Sequence, residues 1–309
     1  MGVIETAALT KQYPRVTALD ALDVDIGDGV TGLVGANGAG KSTLIKILLG
    51  LVPATSGTAR VLDLDVAHEG GRIRSLVGYM PEHDCLPADV SASDLVVHLG
   101  QMSGLPYAAA RERTADVLRH VGLAEERYRP IGGYSTGMKQ RVKLAQALVH
   151  HPHLVFLDEP TNGLDPAARD DMLSLVRKIG TEFGIAVLVT SHLLGELERI
   201  SDHVIVLDTG RLLQSSATTD FMHATGTLVV EVDGRHDADR LLGQALVEAG
   251  LRATPAGRLV EVEVADESTY DVVRDLTADL GLGLVRMQER HHRIEDVFRE
   301  GGAGSVQPV

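Results

Sequence analysis

Short apolar runs alternate with segments of helical periodicity along the amino-terminal part of the chain. The runs Val30 to Val34, Leu154 to Leu157 and Ala186 to Thr190 contain almost no polar positions, which is typical of strands buried on both faces. Between them, residues such as Leu44 and Leu48 recur at helical spacing. Strands and helices that alternate in this way predict an α/β core built on a mostly parallel sheet.

Two further patterns predict additions to this core. Leu22 to Ile26 alternates apolar and acidic residues, which predicts a half-exposed strand that joins Ile4 to Leu9 in an antiparallel β subdomain. Val90 to Leu123 has helical character and no strand pattern. We therefore expect a helical subdomain inserted at about residues 88–135. Its apolar stripe is formed by Ala110, Thr114, Val117 and Val121.

A polar stretch of small residues, Ser215 to Gly226, predicts a domain boundary. We place the larger domain at residues 1–222 and a smaller one at residues 223–309. Three alternating strands and two helices predict a βαβαβ unit in the second domain, which we interpret as a small α+β domain with a regulatory or contact-making role. The strands are expected at residues 228–232, 260–264 and 284–287.

The segment between the first buried strand and its helix fits the phosphate-binding pattern G-x-x-x-x-G-K-[ST]. Glycines let backbone N–H groups face a polyphosphate at the positive end of the helix. Lys41 then supplies a cation for the β- and γ-phosphates, and Ser42 supplies a hydroxyl ligand for Mg²⁺. The alternative, a glycine-rich turn that binds nothing, does not explain the flanking strand and helix. The predicted nucleotide-binding residues are Gly35, Ala36, Asn37, Gly38, Ala39, Gly40, Lys41, Ser42 and Thr43.

Acidic residues and a histidine follow the other predicted strands. Asp158 and Glu159 come directly after a buried strand, where Asp158 is placed to bind Mg²⁺ and Glu159 to take a proton from water. Glu82 follows the strand that ends at Met80, and it is a further candidate metal ligand. His192 follows the last buried strand, where it would hydrogen-bond the γ-phosphate. For a lone histidine, a structural role is the usual alternative.

Three other positions have both a functional and a structural interpretation. Ser135 or Thr136 would cap a helix, and the hydroxyl and the following Gly137 would form a second anion-binding surface; an ordinary capped helix explains the same residues. Asp165 would cap the next helix, which begins with Pro166. Tyr13 would either stack on an adenine ring or pack on the sheet edge.

Composition narrows the classes of function. The net charge of −14 argues against binding nucleic acid over a broad surface. Cys85 is the single cysteine, so an internal disulfide is impossible, which suits a reducing compartment. Met1 to Thr6 lacks the features of a signal peptide, and no apolar run approaches the length of a membrane span. A histidine metal site is a disfavoured alternative, because no cysteine lies near the candidates. These are His150, His151, His153, His291 and His292.

Together these segments resemble the nucleotide-binding subunit of an ATP-binding cassette (ABC) transporter, a P-loop ATPase, over about Ile4 to Met222. The matched motifs appear in the family's order. They are Walker A at Gly35 to Thr43, the signature sequence at Ser135 to Lys139, Walker B and the catalytic glutamate at Phe156 to Glu159, the D-loop at Leu164 and Asp165, the switch histidine at His192, and the adenine-stacking aromatic at Tyr13.

The resemblance implies an ATP hydrolase that binds ATP and Mg²⁺, with Glu159, His192 and Lys41 as its catalytic residues. In this family, the Walker A motif of one cassette and the signature of another enclose each ATP. One chain therefore supplies half of two sites and needs a second copy or a related cassette as its partner. ATP binding would close the dimer and drive a separately encoded membrane permease, which implies a cytoplasmic chain held at the inner face of the membrane.

Two departures from the family pattern point to one branch of it. Glu82 stands where the family usually has glutamine, and Thr136 stands where many members have glycine. These residues and a carboxyl-terminal segment, Arg293 to Phe298, resemble the ABC-2 branch, which mostly exports drugs, antibiotics or polysaccharides.

Other functions remain alternatives. A cassette that acts on DNA would carry a long coiled-coil or zinc insertion, and one that acts on ribosomes would carry two cassettes. Neither feature is present in this sequence. A regulatory module that only binds ATP would not need the base Glu159. Import remains an alternative to export, because direction depends largely on the membrane subunit.

Overall fold

The computed structural model describes residues 2–218, 227–234, 237–257, 259–264, 266 and 268–289. The chain divides into two compact units after Thr218. The boundary predicted after residue 222 lies outside the described residues, as do His291, His292 and the segment from Arg293 to Phe298.

The first unit contains ten strands and seven α-helices within its described residues, together with two short 3₁₀ turns. In chain order, the elements are β1 (Ile4–Tyr13), β2 (Val16–Ile26), β3 (Val30–Val34), α1 (Lys41–Leu48), β4 (Ser56–Val61), β5 (Leu64–Asp65), α2 (Val66–Leu76), β6 (Val77–Met80), α3 (Ala92–Met102), α4 (Tyr107–His120), the turns Glu126–Tyr128 and Ile131–Gly133, α5 (Thr136–Leu148), β7 (Leu154–Leu157), α6 (Pro166–Thr181), β8 (Ala186–Ser191), α7 (Leu194–Leu197), β9 (His203–Asp208) and β10 (Arg211–Ala217).

A six-stranded sheet forms the centre of this unit, in the order β10-β9-β3-β8-β7-β6. Neighbours from β9 to β6 are parallel, and β10 pairs antiparallel with β9. Every residue of β3, β7 and β8 is buried, as their predominantly apolar sequences predict. Because these strands are parallel, the segments that follow β3, β6, β7 and β8 all leave the same edge of the sheet.

A second sheet is antiparallel and has the order β2-β1-β4-β5. Ile4 pairs with Ile26 on one side and with Val61 on the other. One apolar core contains residues of both sheets and of helix α1, with Phe156 among its largest fully buried side chains. The predicted antiparallel subdomain is therefore packed on the same core as the parallel sheet.

The predicted helical subdomain consists of α3, α4 and the two 3₁₀ turns. Ser91 caps α3 by accepting a hydrogen bond from the Asp94 amide at 3.0 Å. The four residues of the predicted apolar stripe are buried. None of the helices that the structure describes is long and apolar enough to cross a lipid bilayer.

The structure differs from the sequence prediction at both ends of the β subdomain. Strand β1 continues past Leu9 to Tyr13, which pairs with Val16. Strand β4 and helix α2 were not predicted. The strand has exposed polar positions, and the helix contains Gly70 and Gly71, so neither has a strong apolar periodicity.

The second unit is a four-stranded antiparallel sheet with two helices, arranged βαββαβ along the chain. Its sheet order is β12-β13-β11-β14. The prediction of three strands was wrong, because it missed the mostly exposed edge strand Ala253–Ala256, whose sequence includes a proline and little apolar alternation. The elements are β11 (Thr227–Asp233), α8 (Ala238–Glu248), β12 (Ala253–Ala256), β13 (Leu259–Glu263), α9 (Ser268–Asp279) and β14 (Gly283–Glu289).

The turn that links β3 to α1 depends on Gly40, which has a φ of 104° and no room for a side chain. A Cβ at this position would lie 2.5 Å from the carbonyl oxygen of Ala18. Gly184 also has a positive φ, 63°, but a Cβ there would meet no atom within 4 Å. Both positions favour glycine because of their positive φ, and at Gly40 a side chain would in addition clash with Ala18.

We expect Gly184→Ala to lower the free energy of unfolding by about 1–2 kcal/mol, the cost of a left-handed alanine. Gly40→Ala should lower it further, because the backbone must also move away from Ala18. Urea titration of both variants measures the difference. Equal losses of stability would show that the close approach to Ala18 does not constrain the loop.

Candidate active site

The segments that leave the shared edge of the parallel sheet enclose a cavity of about 310 Å³. The phosphate-binding loop forms most of its wall at the start of α1, and Ala18 and two acidic residues complete it. The lining residues are Ala18, Ala36, Asn37, Gly38, Ala39, Gly40, Lys41, Ser42, Thr43, Glu82 and Glu159. The structure therefore brings eight of the nine loop residues predicted to bind nucleotide to one cavity; Gly35 lies just outside this lining.

Lys41 is buried at the base of the loop and contacts both the backbone and an acid. Its Nζ donates to the carbonyl oxygen of Gly35 at 2.6 Å and lies 3.3 Å from Glu159 Oε1. Both side chains are less than a tenth exposed. An ammonium and a carboxylate held in a site of low polarity interact more strongly than on the surface. This pair places the predicted phosphate-binding cation beside the predicted base.

Asp158 and Glu159 are both held by one residue of the next strand, Thr190. Its hydroxyl donates to Asp158 Oδ1 at 2.9 Å and accepts from the Glu159 amide at 2.8 Å. Glu159 has a φ of 49°, a strained conformation for a residue with a side chain. The bond from its amide to Thr190 helps to hold it there. A single buried hydroxyl thus fixes the positions of both acidic residues.

The pKa of Asp158 is higher than that of an exposed carboxyl group, so its neutral form is favoured. Burial raises its pKa, while hydrogen bonds from Thr190 and Ser42 lower it and the charges of Glu82 and Glu159 raise it. Ser42 Oγ lies 3.3 Å from Asp158 Oδ1. A cation bound beside Asp158 would offset the repulsion between its carboxylate and those of Glu82 and Glu159.

His192 lies where the sequence predicted, directly after β8. Its Nδ1 is 2.9 Å from Glu159 Oε2, on the opposite side of the carboxylate from Lys41. The imidazole is about half exposed, whereas Glu159 is buried. One carboxylate therefore contacts two groups that can carry positive charge.

Glu82 reaches this cavity from the segment after β6, and two other segments hold it. Its Oε1 accepts from Asn162 Nδ2 at 3.3 Å, and its backbone oxygen accepts from Lys143 Nζ at 2.8 Å. Lys143 is only 2% exposed, and burial lowers the pKa of its ammonium group. The negative charges of Cys85, Asp84, Glu82 and Asp158 act in the opposite direction and raise this pKa.

The signature and D-loop residues lie elsewhere and do not line this cavity. Ser135 and Thr136 are exposed at the start of α5, and Asp165 is exposed at the start of α6. Ser135 caps α5 by accepting from the Met138 amide, and Asp165 caps α6 by accepting from the Ala168 amide. The structural interpretation of these caps therefore holds, and the residues remain exposed to a second molecule.

These two exposed segments lie beside each other. A Cβ on Gly163 would be 3.6 Å from Thr136 Cγ2, and one on Gly137 would be 3.8 Å from Leu164 Cδ2. Gly137 thus lies where the D-loop passes the first turn of α5. The two motifs form one continuous outward surface.

Tyr13 is 40% exposed at the end of β1 and is not among the residues that line the cavity. Lys11 Nζ lies 5.1 Å from the centre of its ring. An exposed aromatic face is compatible with the predicted stacking on adenine.

A buried network that no sequence pattern indicated joins the segment before the D-loop to the segment of the switch histidine. Glu196 is 7% exposed, and its Oε2 accepts from Thr161 Oγ1 at 2.8 Å and from Ser191 Oγ at 2.9 Å. Arg169 Nε lies 3.2 Å from its other oxygen. Glu196 lies four residues after His192 in the sequence, but its burial depends on contacts with the more distant Thr161 and Arg169.

The histidine candidates of the first unit, His150, His151 and His153, show no metal-binding arrangement. His150 Nε2 lies 3.0 Å from the carbonyl oxygen of Val77, and burial lowers its pKa. Within the described part of the chain, no cluster of three or more histidine, cysteine or acidic side chains is arranged to hold a metal ion.

Comparisons with known proteins identify the family. The family described as ABC transporter matches residues 19–162. The daunorubicin/doxorubicin resistance ATP-binding protein DrrA of Streptomyces peucetius is 35% identical over 79% of this chain and 75% of its own. The linearmycin resistance ATP-binding protein LnrL of Bacillus subtilis is 33% identical over 96% of this chain and 97% of its own. This chain belongs to the ABC transporter family.

Solved structures agree with the assignment. The cassette cbiO1 of Clostridium perfringens, part of the transporter complex cbiONQ, has a TM-score of 0.66 and 27% identity, over 71% of this chain and 90% of its own. The dimeric bacterial cassette MJ0796 has a TM-score of 0.63 and 25% identity, over 70% and 98%. The predicted cassette fold is confirmed, and the protein is an ATP-binding and ATP-hydrolysing subunit that powers a transporter.

The role of Lys41 in this ABC cassette is tested by substitution. Lys41→Ala removes the cation expected at the phosphates, so affinity for a fluorescent ATP analogue should fall on the order of 10- to 100-fold, as loss of a hydrogen bond to a charged group does. Lys46→Ala changes an exposed lysine on the same helix and serves as the control. Equal affinities for the two variants would contradict the role of Lys41.

Thr190→Val tests the shared anchor of Asp158 and Glu159. The variant keeps the shape of the side chain but leaves the Glu159 amide unpaired, so we expect a loss of stability of about 1–3 kcal/mol together with a lower kcat. Thr190→Ser retains the hydroxyl and should restore turnover. Denaturant unfolding and a phosphate-release assay give the two values. Wild-type kcat in Thr190→Val would show that the anchor is dispensable.

Proposed function

We propose that this cassette powers the export of a drug, an antibiotic or another small molecule through a separately encoded membrane permease. DrrA and LnrL are named for resistance to daunorubicin/doxorubicin and to linearmycin, and LnrL aligns with nearly the whole of this chain. Resistance by an ABC subunit is explained by removal of the compound from the cell. The chain would work at the cytoplasmic face of the membrane that holds the permease.

The observation that carries the mechanism is the separation of the two nucleotide-contacting surfaces. The phosphate-binding loop lines the cavity, while Ser135, Thr136 and Asp165 lie outside that lining and face outward. One chain cannot close both surfaces on the same ATP, so a second cassette has to supply the signature residues. The dimeric solved structure of the similar cassette MJ0796 supports this arrangement. The partner is either a second copy of this chain or a related cassette.

The residues of the cavity fit the hydrolysis of ATP. Glu159 would accept a proton from the attacking water, since Thr190 fixes its backbone and His192 its carboxylate. Lys41 would hold the β- and γ-phosphates, and Tyr13 the adenine. His192, when it donates to the γ-phosphate, would link that group to the base. The oxygen of water then bonds to the γ-phosphorus, and the bond to ADP breaks.

The oxygen atoms near the γ-phosphate position fit a magnesium ion. Ser42 Oγ and Asp158 Oδ1 lie 3.3 Å apart, and Glu82 lines the same cavity. Hydroxyl and carboxylate oxygens are the ligands that Mg²⁺ prefers, and these three side chains would hold it. The ion would neutralise charge that develops on the phosphates. With Glu82 in place of the usual glutamine, the metal site of this chain has one more negatively charged ligand.

Closure of the two cassettes on ATP would move the permease, and hydrolysis would let them separate. Differential affinity of the open and closed forms for ATP is what makes such a motion possible.

Glu159→Gln tests the chemical step. The amide cannot accept the proton, so kcat should fall by about 10²–10⁴, the usual contribution of a positioned base. Affinity for ATP should change little, because Lys41 and the loop remain. Glu182→Gln removes an exposed carboxylate at the end of α6 and serves as the control. Phosphate release at saturating ATP measures both variants, and a Glu159→Gln chain with wild-type turnover would refute the assignment.

Transport direction is tested in inside-out membrane vesicles from the cells that make this chain. Export from the cell appears as ATP-dependent accumulation of a fluorescent anthracycline inside the vesicles. Accumulation should be lost when the Glu159→Gln chain replaces the native one. ATP-dependent release of a preloaded compound would instead indicate import.

A further inference from the structure

One face of helix α5 is attached to two segments of the catalytic cavity. Lys139 and Lys143 are four residues apart, and Gln140 lies three residues before Lys143, so the three side chains share a face of the helix. They contact the segment that carries Glu82 and the segment that carries Asn162. The first of these follows β6, and the second follows β7.

Lys143 is the buried member of this face. It is 2% exposed, and its Nζ donates to the backbone oxygen of Glu82 at 2.8 Å. Burial of an ammonium is unfavourable unless hydrogen bonds and opposite charges compensate it. The negative charges of Glu82 and Asp158 act on this group. Lys143 therefore lies close to the side chains proposed to hold Mg²⁺, although it does not line the nucleotide cavity.

A second set of hydrogen bonds closes a ring around Glu82. Gln140 Nε2 donates to the backbone oxygen of Asn162 at 3.2 Å, and Asn162 Nδ2 donates to Glu82 Oε1 at 3.3 Å. The ring therefore holds Glu82 by its backbone through Lys143 and by its carboxylate through Asn162. Both links return to the same turn of α5.

The first turn of α5 carries Ser135 to Gly137, the residues expected to contact the ATP of the partner cassette. A helix moves as a rigid element, so displacement of its amino terminus also displaces Lys143. We propose that Lys143 is a positioning residue that couples the two ATP sites of the paired cassettes, by moving Glu82 and Asn162 of its own site when the signature engages the other. This inference rests on the proposed pairing of cassettes.

The exposed ion pair on the same helix face is a matched control. Lys139 Nζ lies 3.0 Å from Asp84 Oδ2 and also connects α5 to the segment after β6. Its side chains are 33% and 57% exposed, so solvent weakens the pair. If any connection between these elements sufficed, loss of this pair would have the same effect as loss of Lys143.

The test compares Lys143→Met, Lys143→Arg and Asp84→Asn with the wild type. ATP hydrolysis is measured over a range of ATP concentrations, a fluorescent ATP analogue gives the affinity, and thermal unfolding reports folding. The wild type should hydrolyse ATP with a Hill coefficient above 1, approaching the number of coupled sites.

Lys143→Met should lower kcat about tenfold, which corresponds to about 1.4 kcal/mol in the activation barrier. It should also bring the Hill coefficient to about 1. Analogue affinity should stay within about twofold, because no loop residue changes. Lys143→Arg keeps a charged donor and should recover most of kcat and cooperativity. Asp84→Asn should resemble the wild type. If Lys143→Met does not fold, Asn162→Ala breaks the ring at an exposed residue and should also reduce cooperativity.

The possible outcomes separate the inference from the function on which it rests. A folded Lys143→Met chain with wild-type kcat and Hill coefficient overturns the inference and leaves the paired cassettes intact. The same follows if Lys143→Met changes only the melting temperature, or if Lys143→Met and Asp84→Asn lose equal activity. A wild-type chain that hydrolyses ATP without cooperativity and stays monomeric overturns the pairing of two copies of this chain.

Discussion

The active site depends on one constraint, the parallel order of β3, β8, β7 and β6, which brings four separate loops to one edge of a buried sheet. Thr190 turns this arrangement into a defined geometry, because its hydroxyl lies between the Asp158 carboxylate and the Glu159 amide. Two adjacent acids would otherwise repel each other and relax toward solvent. Lys41 and His192 then contact opposite oxygens of Glu159. The base is thus held by its backbone and by both ends of its carboxylate.

The same constraint leaves the remaining ATP-contacting residues on the outside. Helices α5 and α6 begin away from the cavity, so the capping residues Ser135 and Asp165 are exposed, on segments that approach each other at Thr136 and Gly163. Internal links connect this outward surface to the site, through Lys143 on α5 and through Glu196 beneath the D-loop. A cassette that must respond to a partner has to combine an exposed contact surface with a rigid path to its own catalytic groups.

The sequence predicted the parts of the site that are local. The phosphate-binding loop, the acids after β7 and the histidine after β8 were recognisable because motif, strand end and helix start are adjacent in the chain. The roles of Thr190, Lys143 and Glu196 were not recognisable, because they come from contacts made by the folded chain. Thr190 and Lys143 contact residues 31 to 61 positions away, and Glu196 contacts residues 5 and 35 positions away. Strand β12 was missed for a related reason: an edge strand with mostly exposed residues has no apolar alternation to detect.

If one chain holds half of each ATP site, the mass of the Glu159→Gln protein in solution has to depend on nucleotide. The measurement is made with and without Mg-ATP, at a concentration where a fluorescent analogue shows the nucleotide site to be filled. We expect a monomer without nucleotide and twice that mass with it. A chain that stays monomeric while saturated with ATP would contradict a sandwich formed by two copies.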